Sequence, residues 1–175
     1  MRFTLSLLLV ILGVVCRVAP HPWNFAPVGA IALFAGATFE NRRAAFFVPL
    51  ATMFLGDLVI GLHSGMPVIY ATYALIVILG MALRTRRHSM IAVGGAAIAS
   101  ATIFFVFTNF AVWAGGTLYP KTLAGLAACY TAAIPFFDRT LASDLMFSAI
   151  FFAAFALGER RIDDTADRVA VAKRD

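Results

Sequence analysis

Charge is scarce in this chain. Asp, Glu, Lys and Arg make up 13% of 175 residues, against about 25% in soluble domains. Cysteine is nearly absent: only Cys16 and Cys129 occur, with no CxxC and no Cys/His metal spacing, which argues against a zinc or disulfide scaffold. Both read as small apolar packing residues. The chain has no Gly-rich phosphate loop, no nucleophile elbow and no HExxH, so the familiar signatures of nucleotide, hydrolase and metalloprotease chemistry are missing. His21, His63, Asp57 and Asp144 are the candidate metal ligands by type, but they are scattered. No metal, no cofactor and no enzymatic activity are expected.

What is present is apolar sequence. Hydrophobic residues make up 62% of the chain, and the mean hydropathy is +0.89. These values place it in the lipid bilayer. The net charge of +5 sits in short clusters between apolar runs, a pattern of membrane orientation and not of nucleic-acid binding.

The apolar runs predict an all-α polytopic bundle of six transmembrane helices over 1–158, followed by a charged cytoplasmic tail, 159–175. The spans are expected at 3–19, 27–39, 44–62, 66–83, 89–115 and 139–158. A signal peptide competes for the first run, because Arg2 precedes it; Arg17 and Pro20 stand against cleavage there. The second run is short, ~20 Å at ~1.5 Å per residue, so it must borrow from 23–26 or lie buried among other helices. Residues 121–137 read as a helical excursion on the outer face, and Gly158 to Arg161 read as the end of the last span. With six spans and an inner N-terminus, eleven Lys and Arg fall inside and three outside (Arg17, Lys121 and Arg139). Seven spans would weaken this positive-inside asymmetry. Both termini are therefore expected in the cytoplasm.

That topology sorts the unusual residues. Between Arg17 and Ala30, Pro20, Pro22 and Pro27 fix φ and remove backbone donors, so the segment is stiff and not a continuous helix. It reads either as the mouth of a small-molecule site or as a connector with an interfacial Trp anchor. His21, Trp23, Asn24, His63, Asn109, Trp113 and Tyr119 all gather at the outer end. Aromatic rings with a few placed polar groups are the composition of a ligand pocket; an aromatic belt would use the same Trp and Tyr but needs no Asn or His. Two acids, Asp57 and Asp144, lie roughly 8–9 Å inside spans. Each follows a small residue and precedes leucine (Gly56-Asp-Leu, Ser143-Asp-Leu). An intramembrane carboxylate needs a partner, and Arg17 and Arg139 are the candidates at that end. Either a helix clamp or a ligand-recognition role satisfies the pattern.

Four stretches carry a resemblance: RVAPHPWNFAPVGAIALFAGA (17–37), FLGDLVIGLH (54–63), FTNFAVWAGGTLYPKTLAGLAACYTAAIPFF (107–137) and SDL (143–145). They resemble an uncharacterised group of small bacterial membrane proteins, which is itself similar to the substrate-binding S components of energy-coupling-factor vitamin transporters. The resemblance implies a bacterial inner-membrane protein that captures a vitamin-like molecule beneath loops 20–27, 63–67 and 110–138. It also implies a possible partner, an energy-coupling membrane subunit with ATPases. The first helix departs from that group: it carries Ser6, Gly13 and Cys16 where S components show an Ala-x-x-x-Ala docking face. Solitary members of that fold include cobalamin transporters, in which His63 would be the matching metal-binding side chain. The rival readings are a non-transport subunit, docking through the small residues of 27–39 and 89–101, and a membrane enzyme.

Overall fold

The computed structural model describes residues 2–20 and 24–172, with side chains described for 5–20 and 24–161. Six α-helices account for most of the chain: α1 (Arg2–Val18), α2 (Val28–Thr38), α3 (Arg42–Ile60), α4 (Met66–Leu83), α5 (Met90–Gly115) and α6 (Leu123–Ala172). A 3₁₀ turn, Arg84–Arg86, follows α4. No strand occurs among the described residues. Four helical stretches are long and apolar enough to cross a membrane: Arg42–Ile60, Met66–Arg86, Met90–Gly115 and Leu123–Arg161. The apolar parts of α1 and α2 are shorter, Leu5–Val18 and Val28–Thr38.

Local chemistry sets the boundaries. The Asn41 side chain accepts hydrogen bonds from the Arg43 and Ala44 amides at 2.9 and 3.4 Å, and so starts α3. Ser89 caps α5 through the Ala92 amide at 3.4 Å. Gly61, at φ +121°, ends α3 in a conformation that a side chain would oppose.

The short second helix is the centre of the bundle. All of Val28 to Ala37 is buried, with α3, α4, α5 and α6 packed around it. Of the two ways for so short a segment to exist in a membrane protein, the chain uses burial among its neighbours. Its small residues therefore face inward, and α2 has no free surface to offer a partner. The α2–α4 crossing is backbone to backbone: a methyl group at Gly36 would overlap the Val77 carbonyl, and one at Gly80 would overlap the Leu33 carbonyl. Small residues permit this approach. Phe34 fills the other side, against the rings of Phe151, Phe152 and Phe155 at 5.3–5.9 Å.

The C-terminal third differs from expectation. Residues 121–137 do not lie across one face as a separate excursion. From Leu123 onward they form the start of α6, which runs through Pro135 without interruption. Tyr130 donates to the Val106 carbonyl at 2.7 Å, and the Phe105 ring meets those of Tyr130 edge-on and Phe137 at a tilt. The stretch thus lies side by side with α5. Nor does Gly158 to Arg161 end the helix, which continues to Ala172.

Arginines gather at one end. Arg84 donates to the Gly36 and Phe39 carbonyls. Arg87 pairs with Glu159 at 3.2 Å and lies over the Phe155 ring. The ends of α2 and α4 thus meet there, with the start of α5 and the Glu159 turn of α6.

The close α2–α4 crossing predicts an asymmetry between glycines. Gly80→Leu should cost about 1–3 kcal/mol by overpacking, or prevent folding. Gly94→Leu should change stability by less than about 0.5 kcal/mol, since nothing lies within 4 Å of a Cβ built there. Thermal melting of both variants in detergent checks this; equal melting temperatures would refute the crossing.

Candidate functional site

The end opposite the arginine cluster holds two buried carboxylates in different settings. Asp57, on α3, is fully buried. It is ion-paired with Arg17 at the end of α1 and accepts a hydrogen bond from the Tyr70 hydroxyl at 2.6 Å. Gly56 makes room for the arginine: a Cβ there would overlap the Arg17 Cδ and Nε. The small residue before the acid is thus the floor on which its counter-ion lies. Among the described residues the Arg17 Nε is buried without a hydrogen-bond partner, so the guanidinium is turned toward α3.

Asp144, on α6, is 2% exposed. Ser100 donates to its Oδ2 at 2.8 Å, and the Ala30 amide hydrogen-bonds to the same carboxyl. Ala30 belongs to the first turn of α2, whose own N-cap, Pro27, supplies no side-chain bond. Asp144 therefore caps α2 from a neighbouring helix, where the helix dipole favours negative charge. A Cβ on Gly29 would overlap the carboxylate, so glycine is required under it. Ser143 completes the clamp by donating to the Ala26 carbonyl at 2.9 Å. Among the described residues no cation lies within ion-pair distance of Asp144.

Between these two acids lies a cavity of about 430 Å³, whose walls include Arg17, Asn24, Tyr73, Phe104, Thr140 and Asp144. A second, of about 170 Å³, adjoins it; Asn24, Phe104 and Thr140 line both, and Asn109 lines the smaller one. Asn24 adopts φ +61°, a region asparagine tolerates better than most residues. It stands where the loop from α1 enters α2. The arrangement can enclose a compact molecule between aromatic rings and a few polar groups, the usual make-up of a ligand site.

The residues expected at such a site divide. Arg17, Asn24 and Asp144 line the main cavity, Asn109 the smaller one, and Asp57 backs Arg17. His63 is exposed in the turn before α4 and is absent from both linings. Trp113 is occupied elsewhere: its Nε1 donates to the Pro120 carbonyl at 2.9 Å, and Lys121 lies over its ring. It braces the α5–α6 connection, which also contains Tyr119, and neither residue lines either of these two cavities. Arg139 is exposed and, among the described residues, pairs with neither acid. It directly precedes Thr140 on α6, but its side chain lies on the outer surface. His21 and Trp23 lie outside the described residues.

Sequence reasoning missed Tyr70, Tyr73, Ser100, Phe104 and Thr140. These sit inside runs of apolar or small residues, where one hydroxyl or ring looks like ordinary packing. The available signal was pairing: each buried Asp demands a donor from a neighbouring helix, and Tyr70 and Ser100 are those donors.

The ion pair makes a direct prediction. Asp57→Asn leaves Arg17 without its counter-charge and should cost about 3 kcal/mol, the lower end of the range for breaking a buried pair, because the Arg17 side chain is one-fifth exposed. Adding Arg17→Met should restore much of that loss. A double-mutant cycle by thermal or denaturant unfolding tests it; additive losses would mean that the two charges are not coupled.

No curated protein and no solved structure matches the chain. A family model does, over residues 1–166, nearly the full length of the bundle and its final helix. The chain belongs to that family, DUF6580, a family of unknown function.

Proposed function

We propose that this protein captures a small molecule within the membrane, as the first step of uptake, and performs no chemistry on it. The observation that carries the reading is the 430 Å³ cavity lined by Arg17, Asn24 and Asp144. It falls within the usual range of small-ligand sites, ~300–1,000 Å³. It lies at the end away from the arginine cluster, which the positive-inside rule assigns to the extracytoplasmic side of a bacterial inner membrane. Ligand would enter from that side past the 19–27 loop, and both termini would be cytoplasmic. The likeness to vitamin-transporter S components supports a vitamin-like ligand and, with it, an energy-coupling membrane subunit as partner. The rival scaffold reading keeps only the exposed small residues of α5, because α2 is buried on every side.

Two measurements test this. In a Cys16→Ala/Cys129→Ala background, a cysteine placed at Ser64 should react with a membrane-impermeant maleimide on intact cells. One placed at Thr85 should react only after lysis; the reverse pattern would refute the orientation. For capture, a cell extract should raise the melting temperature of the purified protein. Thr140→Phe, which fills the space shared by the two cavities, should abolish that rise and leave the unliganded melting temperature near that of the wild type. A rise that survives Thr140→Phe would place the ligand elsewhere.

A further inference from the structure

We propose that Asp144 is the counter-ion for a compact organic cation, which enters the cavity in exchange for a proton. The inference rests on the capture reading and specifies its ligand.

The charges around the cavity support it. From α1, Arg17 faces the space, but its guanidinium is ion-paired with Asp57 of α3 and its Nε is turned onto Gly56. That pair is internally neutral and has little left to hold an anion. From α4 comes Tyr73, from α5 the Ser100 hydroxyl, from α6 Thr140, and from the 24–27 segment Asn24. α2 contributes the Ala30 amide and no charged side chain. Among the described residues, Asp144 is thus the one charged group at the cavity without an ionic partner.

A carboxylate at this depth is costly unless neutralised. The Ser100 and Ala30 hydrogen bonds and the α2 dipole ease that cost but supply no positive charge. Two species can supply it: a proton on the carboxyl, or a cation in the cavity. The exchange is balanced. The carboxyl O–H bond breaks, the proton leaves to water at the cavity mouth, and the cation takes its place beside the carboxylate. The site is neutral before and after. Tyr73 and Phe104, whose ring centroids are 5.4 Å apart, give the cation aromatic surface as well as a counter-charge, the combination that suits an amine or quaternary ammonium. Ile60, Ile76 and Pro20 suit its apolar portion.

The test uses three benzyl probes on the full chain in detergent: benzyltrimethylammonium, its neutral isostere neopentylbenzene and anionic 3-phenylpropionate. The cation should raise the melting temperature, more at pH 8 than at pH 5, and calorimetry in buffers of different ionisation enthalpy should detect proton release on binding. Asp144→Asn retains an acceptor for Ser100 and Ala30, so it should fold. It should also lose cation affinity by about tenfold or more and lose the pH dependence. Should the variant fail to fold, the wild-type pH dependence and proton release still decide. Preferential binding of the neutral or anionic probe, with Thr140→Phe abolishing it, would overturn the cation assignment and leave capture standing. No response to any probe at either pH would overturn the cation assignment, and no response to cell extract as well would overturn both.

Discussion

The structure depends on the two ends of a helix too short for its surroundings. α2 has eleven residues, ~16 Å of helix in a hydrocarbon layer of ~30 Å. The N-terminal end therefore falls inside the bundle, where water cannot satisfy the unpaired amides, while the C-terminal end reaches half-buried Thr38 and Phe39 at the arginine-rich face. The chain answers with side chains of opposite sign. At the N-terminal end Asp144 accepts from Ala30, and at the C-terminal end Arg84 donates to Gly36 and Phe39. Each charge meets the pole of the helix dipole that favours it. The neighbouring helices are consequently fixed not only by apolar packing but by the need to place one acid and one base a helix-length apart.

That constraint also creates the space beside the helix. A helix ending partway across the membrane leaves room above its N-terminus, and residues 19–20 and 24–26 border that room. Ala19, Pro20, Asn24 and Ala26 form part of the cavity wall, and Asp144 lies at its inner side. The cap and the candidate ligand site thus share one carboxylate. The cost of holding an acid in the membrane is partly offset by helix capping, so the acid is in place and oriented before any ligand arrives.

The sequence made the helices legible because lipid demands long apolar runs, and the positive clusters marked their ends. Most boundaries fall within two residues of those inferred from the runs. It was equally clear that Arg17, Asp57 and Asp144 needed explanation. Less visible was the identity of the partners: Arg139 had the right charge and depth for Asp144, but helical phase turns it outward, and a backbone amide and Ser100 serve instead. The aromatic connection of 110–120 lies apart from the two cavities for a related reason. Trp113 and Tyr119 have the composition of a pocket, yet a seven-residue link between two long antiparallel helices needs its own bracing, and the Trp113–Pro120–Lys121 cluster provides it. Composition reveals which groups are costly to bury; only the crossing of helices reveals which neighbour relieves that cost. The joining of 121–137 to the last span was not legible, because the charge count that favours six spans does not say where the last helix begins; α6 runs through Pro135 unbroken.

The two Asp-Leu sites show how near-identical local sequence yields different chemistry. Both acids follow a small residue, but those residues do different work. Gly56 clears space for a cation from α1, and the resulting pair with Asp57 is closed further by Tyr70. Ser143 instead binds the Ala26 carbonyl, drawing the start of α2 against α6 so that Ala30 and Gly29 meet Asp144. The first carboxylate is neutralised by an ion of the protein itself. The second receives only dipoles, which orient a charge without cancelling it. In a medium that penalises net charge, this difference separates a structural clamp from a site able to respond to what enters the cavity.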